Sequence, residues 1–491
     1  MFLKKSENNM FLEKKNNRSR LLIIGVVLLS FLFLFLYLFR VAQQEMSKEI
    51  EEIIQTPDGY QEVFDTKTLI SLAPRFLGFS EPQTYLILFY NNTELRPSGG
   101  FIGSYSVLTL DKGRATIHRV SGSENTNWTD ESLAHEDPPA PLSMYLGVAH
   151  WYFRDANWSP DFKQSAIKTI ELYNREVPNP VQNIDTVIGV TPNVLEELLA
   201  LTGDITVDGI TFTEQNVVET LEYEVEFGYK KRGIAIADRK QILEKLFKKV
   251  LKELTPQVVT NLKGLIKTLE VAADEKQLQF YSYNKENQKI IETVDWDGQL
   301  QKTDGDFFMW VDANLGALKT DHAIWRELDY KLENTVEGLV VTATMNYQHN
   351  GTYDWRTSRY RTYARVFVPQ GSIFKSVTID GKEIEEQEVN KGKELDKQWF
   401  GSFVSIEPGL SKKVTYTYLL PKRISAQIDQ GLYTLYVQKQ AGTHDIGLTL
   451  HQRFGKNIST ALPPEHKKDW GDNDYLIETD LQVDRQFKIE F

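Results

Sequence analysis

The sequence predicts a layered α/β (α-β-α) domain followed by an all-β, immunoglobulin-like sandwich, both behind a single N-terminal transmembrane helix. Three observations carry this reading. Residues 21–39 form an uncharged, apolar run. Residues 60–322 alternate buried-strand patterns with helical periods, as a layered α/β domain does. From Trp325 the texture changes to seven or more short strands rich in β-branched and aromatic residues, the pattern of a sandwich over 323–491.

A length of 491 residues suits two or three domains, and 41% hydrophobic with 25% charged residues suits folding around real cores. The absence of cysteine excludes disulfides, thiolate metal sites and a cysteine nucleophile. Charge is unevenly spread. Residues 1–20, a basic cytoplasmic tail, hold six basic residues against Glu7 and Glu13, so the remainder sits near −16 against a total of −12. An acidic body lacks the basic footprint of a nucleic-acid binder.

The apolar run spans about 28 Å at ~1.5 Å per residue, close to the ~30 Å hydrocarbon core, and defines a transmembrane segment over 21–40. Basic residues precede it and Glu45, Glu49, Glu51 and Glu52 follow, so the positive-inside rule leaves the bulk of the chain outside the cell membrane. A cleavable signal peptide would have a shorter core and a small-residue cleavage motif, which Phe39-Arg-Val-Ala-Gln-Gln44 does not supply. Residues 41–59 read as a charged stalk closed by the turn Thr56-Pro-Asp-Gly59.

The stretch 85–105 organises the extracytoplasmic part. Six apolar or aromatic residues, 85–90, read as a strand buried on both faces. A polar loop follows with Arg96, Pro97 and the pair Gly99-Gly100, then a strand over 101–110. Asp111-Lys112-Gly113 turns the chain into a hairpin partner over 114–120. Residues 121–141 form a long loop. Ser159 reads as a helix N-cap, with Phe162, Ala166, Ile167, Ile170 and Tyr173 as the buried stripe. Further strands are expected at 184–190, 278–283 and 307–311. Helices are expected near 192, 213, 238, 256 and 286. On the helix after Asp238, Ile242, Leu246, Val250 and Leu254 line one face.

The stretch 91–103, Asn-Asn-Thr-Glu-Leu-Arg-Pro-Ser-Gly-Gly-Phe-Ile-Gly, resembles a bacterial envelope family of unknown function, the one numbered 4012. So do the segments 154–162, 312–316 and 437–442. The family implies a single-pass anchor and an outward-facing domain. A second, more distant resemblance is to the LytR-CpsA-Psr phosphotransferases, carried by the order of elements, by Ile184-Asp-Thr-Val-Ile-Gly-Val190 and by Asp238-Arg-Lys-Gln241. It implies phosphate binding by Arg96, Arg119 and Arg239, a polyprenyl-linked glycan or cell-wall polymer as partner, and magnesium as cofactor. The acidic residues expected to hold magnesium are not apparent: Pro-Ser-Gly-Gly follows Arg96, and Val120 follows Arg119.

The residues themselves leave alternatives open. Arg96 reads as an anion contact or as a structural arginine tying down its loop. Gly99 and Gly100 read as a phosphate cradle or, more often for such pairs, as a tight turn. Arg154, Asp155, Asn157 and Asp161 form a polar cluster that suits a metal or sugar site, or capping with a local ion pair. Trp128, Trp151 and Trp158 suit sugar stacking or packing. Lys230-Lys231-Arg232 suits anionic lipid headgroups or a solvated charge run. The eight histidines show no metal-ligand spacing, and no serine sits in a nucleophile elbow. Two functions follow: a membrane-anchored envelope protein that binds, and transfers, polyprenyl-phosphate-linked glycans for cell-surface polymer assembly, or a non-enzymatic surface scaffold or adhesion protein with a degenerate phosphotransferase-like domain.

Overall fold

Gln83–Asn91 (β1) alternates its side chains between two environments. Leu86, Leu88 and Tyr90 face a closed core, while Ile87 and Phe89 face the other way. The computed structural model describes residues 75–127 and 135–491. Strand β1 sits at the centre of a five-stranded sheet in the order β3-β2-β1-β4-β7. Its partners are Phe101–Asp111 (β2), Arg114–Gly122 (β3), Thr186–Val190 (β4) and Leu278–Ser282 (β7). Ile205–Val207 (β5) and Ile210–Phe212 (β6) form a separate hairpin. Only the β1–β4 pairing is parallel; the outer pairings are antiparallel.

One face of this sheet is sealed by the helix Phe162–Glu176 (α2), which follows the short helix Ala140–Leu146 (α1). Phe162, Ala166, Leu172 and Tyr173 pack on Leu86, Leu88 and Tyr90. The expected N-cap, Ser159, is two residues early. Asp161 caps the helix by accepting from Gln164 N at 2.9 Å, and its other carboxylate oxygen accepts from Leu300 N at 2.9 Å. Ile167, expected in the buried stripe, is exposed. The opposite face is roofed by Pro192–Thr202 (α3), Val217–Tyr223 (α4), Gln241–Thr260 (α6) and Leu262–Asp274 (α7), with the short helix Tyr229–Lys231 (α5) between them.

The rest of the chain forms two seven-stranded sheets packed on one core. The first contains Ile324–Thr335 (β9), Gly338–His349 (β10), Ile373–Ile379 (β12), Lys382–Glu383 (β13), Ser411–Leu419 (β16), Ile446–Arg453 (β18) and Asp474–Asp480 (β20). The second contains Asp306–Asn314 (β8), Tyr360–Pro369 (β11), Asn390–Glu394 (β14), Lys397–Ile406 (β15), Leu432–Val437 (β17), Thr460–Leu462 (β19) and Arg485–Glu490 (β21).

This architecture corrects the expected layout. Strand β8, read as the close of an α/β domain, is a central strand of the second large sheet, between β11 and β17 and buried along its whole length. Its run 307–311 is apolar on both faces because sheet partners and core surround it, which a local reading cannot distinguish from an α/β strand. The predicted sandwich strands are all present as strands, but their arrangement is not immunoglobulin-like. Each sheet has seven strands, and β17–β8 and β18–β9 pair in parallel. The five-stranded sheet is mixed, with helices packed against both faces and a cavity left between β1 and α6 on one of them. The expected transmembrane helix at 21–39, the tail and the stalk lie outside the described residues. Among the described residues, no helix is long and apolar enough to cross a membrane.

The five-stranded sheet is joined to the large sheets through the loop after β17. Ser98 and Ala441 form an isolated parallel bridge, and Gln440 donates to the carbonyls of Arg96 (3.2 Å) and Asp312 (2.7 Å). His444 Nε2 lies 2.9 Å from Asn193 Oδ1 and 3.1 Å from Asn92 Nδ2. Burial, then the Lys439 and Arg326 charges, push the imidazole down to about 4. An unfolded histidine takes up its proton near ~6.5. Between about 6.5 and 4 the unfolded chain therefore binds the extra proton, and stability falls as pH drops through that window. Urea unfolding midpoints should decline from pH 6.5 to pH 4, and His444→Gln should flatten that decline by an amount on the order of 2 kcal/mol.

Candidate functional site

The loop 91–100 is held by its own polar groups. Asn91 Oδ1 accepts from Thr93 N (3.2 Å) and Thr93 Oγ1 (2.6 Å), a local turn that competes with further strand. It delivers Arg96 into the protein, not to the surface. The side chain is 2% exposed. Nη1 donates to the carbonyls of Asn314 (2.6 Å) and Leu95 (3.3 Å), and Nη2 reaches Glu94 (3.1 Å) and Asp155 (3.4 Å). The guanidinium lies 5.3 Å from the Phe101 ring centre. Of the two readings for Arg96, the structural one describes this geometry.

The neighbouring glycines serve the same packing. A Cβ on Gly99, whose φ is +131°, would sit 2.7 Å from the Tyr90 ring, and one on Gly100 would meet the Asn91 backbone at 2.5 Å. Gly442 is packed so closely that its Cβ would lie 2.0 Å from Gly99 O. Asn157 donates to Gly100 O at 2.7 Å, Asp155 pairs with Arg96, and Asp161 caps α2. Segments 91–103, 154–162, 312–316 and 437–442 thus meet at one seam. Trp151 donates to Asp155 O (2.9 Å) and Trp158 stacks on Tyr363; Trp128 lies outside the described residues.

Behind this seam, on the Ile87 and Phe89 face of β1, lies a cavity of about 490 Å³. Its floor is Ile87, Phe89, Ile188 and Val190. Its roof is Val194, Leu195 and Leu198 of α3, Val218 and Leu221 of α4, and Leu243, Phe247 and Val250 of α6. Phe89 and Phe247 meet edge to face at 5.8 Å. The volume falls within the range of about 300–1,000 Å³ that small-molecule sites occupy.

Charged side chains also line the cavity: Glu94, Glu124, Arg154, Glu222, Glu226, Arg239, Lys240 and Lys319. They are interlocked into an ionic mouth. Arg239 reaches Glu124 (3.3 Å) and Glu226 (3.5 Å), and Lys319 reaches Glu226 (3.3 Å). Lys240 Nζ lies 2.6 Å from both Glu124 and Gly103 O. Burial lowers the Lys240 pKa against the pull of Glu124. For Glu124, burial is outweighed by Lys240 and Arg239, which hold its pKa below the usual carboxylate value.

The three arginines do not converge. Arg96 is in the seam and Arg239 is at the mouth. Arg119 lies beside the Tyr105 and Tyr173 hydroxyls on the opposite face from Val120, which lines the cavity. Of the polar cluster, only Arg154 reaches the cavity lining; it also sits over the Tyr152 ring at 5.1 Å. Lys240, Lys319, Glu124 and Glu226 were not singled out from the sequence. A signal existed on α6, where Leu243 and Phe247 add a second apolar strip to the one formed by Ile242, Leu246 and Val250. The mouth does not fit magnesium. Glu124, Glu226, Glu222 and Glu94 are each paired with a cation, and no group of three or more metal-binding side chains is found among the described residues.

Residues 80–225 match a family model described as "Protein of unknown function (DUF4012)". The match covers less than a third of the chain and takes in β1–β4, the seam loop and most of the cavity floor. No curated protein matches the sequence. Among solved structures, a Legionella pneumophila protein described as nutrient-binding is similar at 8% identity and TM-score 0.25, over 38% of this chain and 71% of that one. Yeast LTA4 hydrolase in complex with bestatin is similar at 9% identity and TM-score 0.21, over 34% of this chain and 29% of that one. Legionella pneumophila aminopeptidase A is similar at 10% identity and TM-score 0.19, over 36% and 22%.

Removing the Arg96 side chain leaves Glu94 and Asp155 without their buried cation. Arg96→Ala should lower the unfolding free energy by about 3–5 kcal/mol in urea titration, the usual result of breaking a buried pair from one side. Arg96→Lys should recover only part of it, because an ammonium cannot reproduce the planar fork. A loss under about 1 kcal/mol would return Arg96 to the list of ligand contacts.

Proposed function

We propose that this protein binds polyprenyl-phosphate-linked glycans at the outer face of the cell membrane, holding the hydrocarbon chain in the cavity and the phosphate at the ionic mouth. The observation that carries the reading is the form of the cavity, an apolar chamber between β1 and α6 with cationic side chains in its lining. Each buried methylene gains about 0.8 kcal/mol, so a chain of isoprene units supplies affinity without specific contacts. Arg154, Arg239 and Lys240 meet the phosphate, with arginine suited to bind two oxygens at once. Glu124 and Glu226 occupy Arg239 and Lys240, and Asp155 occupies Arg154, until an anion competes for them. The apolar run at 21–39 supports placing this mouth near the bilayer that supplies such lipids.

The resemblance to the LytR-CpsA-Psr phosphotransferases supports the ligand class through Arg239 alone, since Arg96 is committed to the seam and Arg119 to the other face. One observation favours the second reading, a non-enzymatic surface scaffold: the cations at the mouth are already paired with glutamates. Titration of the full chain in detergent with a fluorescent polyprenyl phosphate separates the two. Saturable binding is expected. Leu243→Trp, which fills the cavity, should weaken it at least tenfold, equivalent to about 1.4 kcal/mol. Arg239→Gln combined with Lys240→Gln should weaken binding of the phosphate but not of the corresponding polyprenyl alcohol. Unchanged affinity in Leu243→Trp would leave the scaffold reading.

A further inference from the structure

The segment after α4 is unusual in three respects. It opens into a π-helical turn, Glu224–Gly228, a widening that recurs at functional positions in helices. It runs from residue 227 to 237 without an acidic residue while carrying Lys230, Lys231 and Arg232, in a chain of net charge −12. It also leaves apolar side chains in water: Phe227 is 38% and Ile236 68% exposed.

The aromatic and basic side chains are one surface, and Ile236 comes two residues after Ile234, whose N–H donates to Tyr229 O at 3.0 Å. Phe227 and Tyr223 stack on each other and both meet Trp355 edge-on, at 5.4 and 5.9 Å. Lys230 lies 5.6 Å from the ring centres of Phe227 and Tyr229, and Lys231 lies 5.3 Å from that of Tyr223. The ammonium groups therefore sit over ring faces at an exposed edge of the molecule, and Lys231 Nζ also donates to Tyr223 Oη, so cations and aromatic rings form one amphipathic surface. Aromatic rings with polar tips favour an apolar–aqueous boundary. The neighbouring residues Glu222, Val225 and Glu226 line the cavity, so the patch adjoins its mouth.

We infer that this aromatic and basic patch docks on an anionic phospholipid bilayer and sets the cavity mouth against it. The inference rests on the lipid-binding reading of the cavity and adds the route of entry. A polyprenyl chain passing through water would expose every methylene to solvent, whereas a mouth pressed to the bilayer keeps the chain in apolar surroundings. Charge complementarity selects the occupant: Lys230 and Lys231 face outward beside exposed rings, and anionic headgroups attract basic segments near the surface.

The test uses the full chain, whose lack of cysteine allows a single label. Ile236→Cys carries an environment-sensitive fluorophore, with Leu476→Cys, 49% exposed on β20, as the control. Both proteins are placed in nanodiscs containing phosphatidylglycerol or only phosphatidylcholine. The label at 236 should shift to the blue, be quenched by spin-labelled lipid several-fold more than the label at 476, and resist aqueous iodide. The difference should shrink in phosphatidylcholine and in the Lys230→Glu, Lys231→Glu background. Equal iodide quenching at the two positions, or no dependence on lipid charge, overturns the inference. A response to soluble glycan fragments in place of lipid also overturns it, and makes the patch a sugar platform. The detergent titration offers the patch no bilayer, so failure there counts against the cavity reading and failure in nanodiscs alone counts against docking.

Discussion

A guanidinium taken out of water needs acceptors, and Arg96 finds them for both terminal nitrogens, though not for Nε, on elements far apart in the chain. Glu94 lies beside it, Asp155 precedes α2, and the Asn314 carbonyl ends β8. The bonds to Asp155 and Asn314 span 59 and 218 residues, so the side chain forms only when the five-stranded sheet has met the large sheets. Around it the seam closes through backbone. Asn314 N donates to Leu95 O at 2.9 Å, Gln440 holds the Arg96 carbonyl, and Gly442 lies against Gly99. Such buried charge is costly unless every partner is in place, which couples the two parts of the molecule.

That seam fixes the cavity. It anchors β1 at its C-terminal end, and strand alternation then directs Ile87 and Phe89 to the face that α2 does not cover. Helices α3, α4 and α6 cover this face without filling it: Phe247 touches Phe89 edge to face, and the space beside that contact remains open. Lys319, just after β8, completes the mouth by reaching Glu226 on the turn after α4. The five-stranded sheet and its helices are therefore completed at the mouth by a residue that follows a strand of the large sheets.

Much of the secondary structure was legible from local pattern. The apolar run at 85–90 lies within β1, and Asp111-Lys112-Gly113 does turn β2 into β3. Two kinds of information were not local. Strand β8 is buried throughout, with an apolar run over 307–311, for reasons supplied by strands about 50 to 130 residues later, so its sequence could not say which sheet it joins. Side-chain direction was the other. Arg119 and Val120 are neighbours in sequence and face opposite ways across the sheet, so naming Arg119 a phosphate candidate by its position carried no information on which face it takes. The polar cluster at 154–161 looked like a site because buried structural hydrogen bonds need the same residue types as a binding site; only Arg154 among them reaches the cavity lining. The cavity itself was hidden because an apolar face turned to a chamber reads the same as one turned to a core.

The central claim is that the seam is structural and the cavity is functional. An experimental structure of the full chain with a polyprenyl phosphate bound tests both halves at once. The account predicts the hydrocarbon between Phe89 and Phe247, the phosphate against Arg154, Arg239 and Lys240, and Arg96 still bonded to Asn314 O and Glu94. A phosphate drawn onto Arg96, or a chain bound outside the cavity, would contradict it.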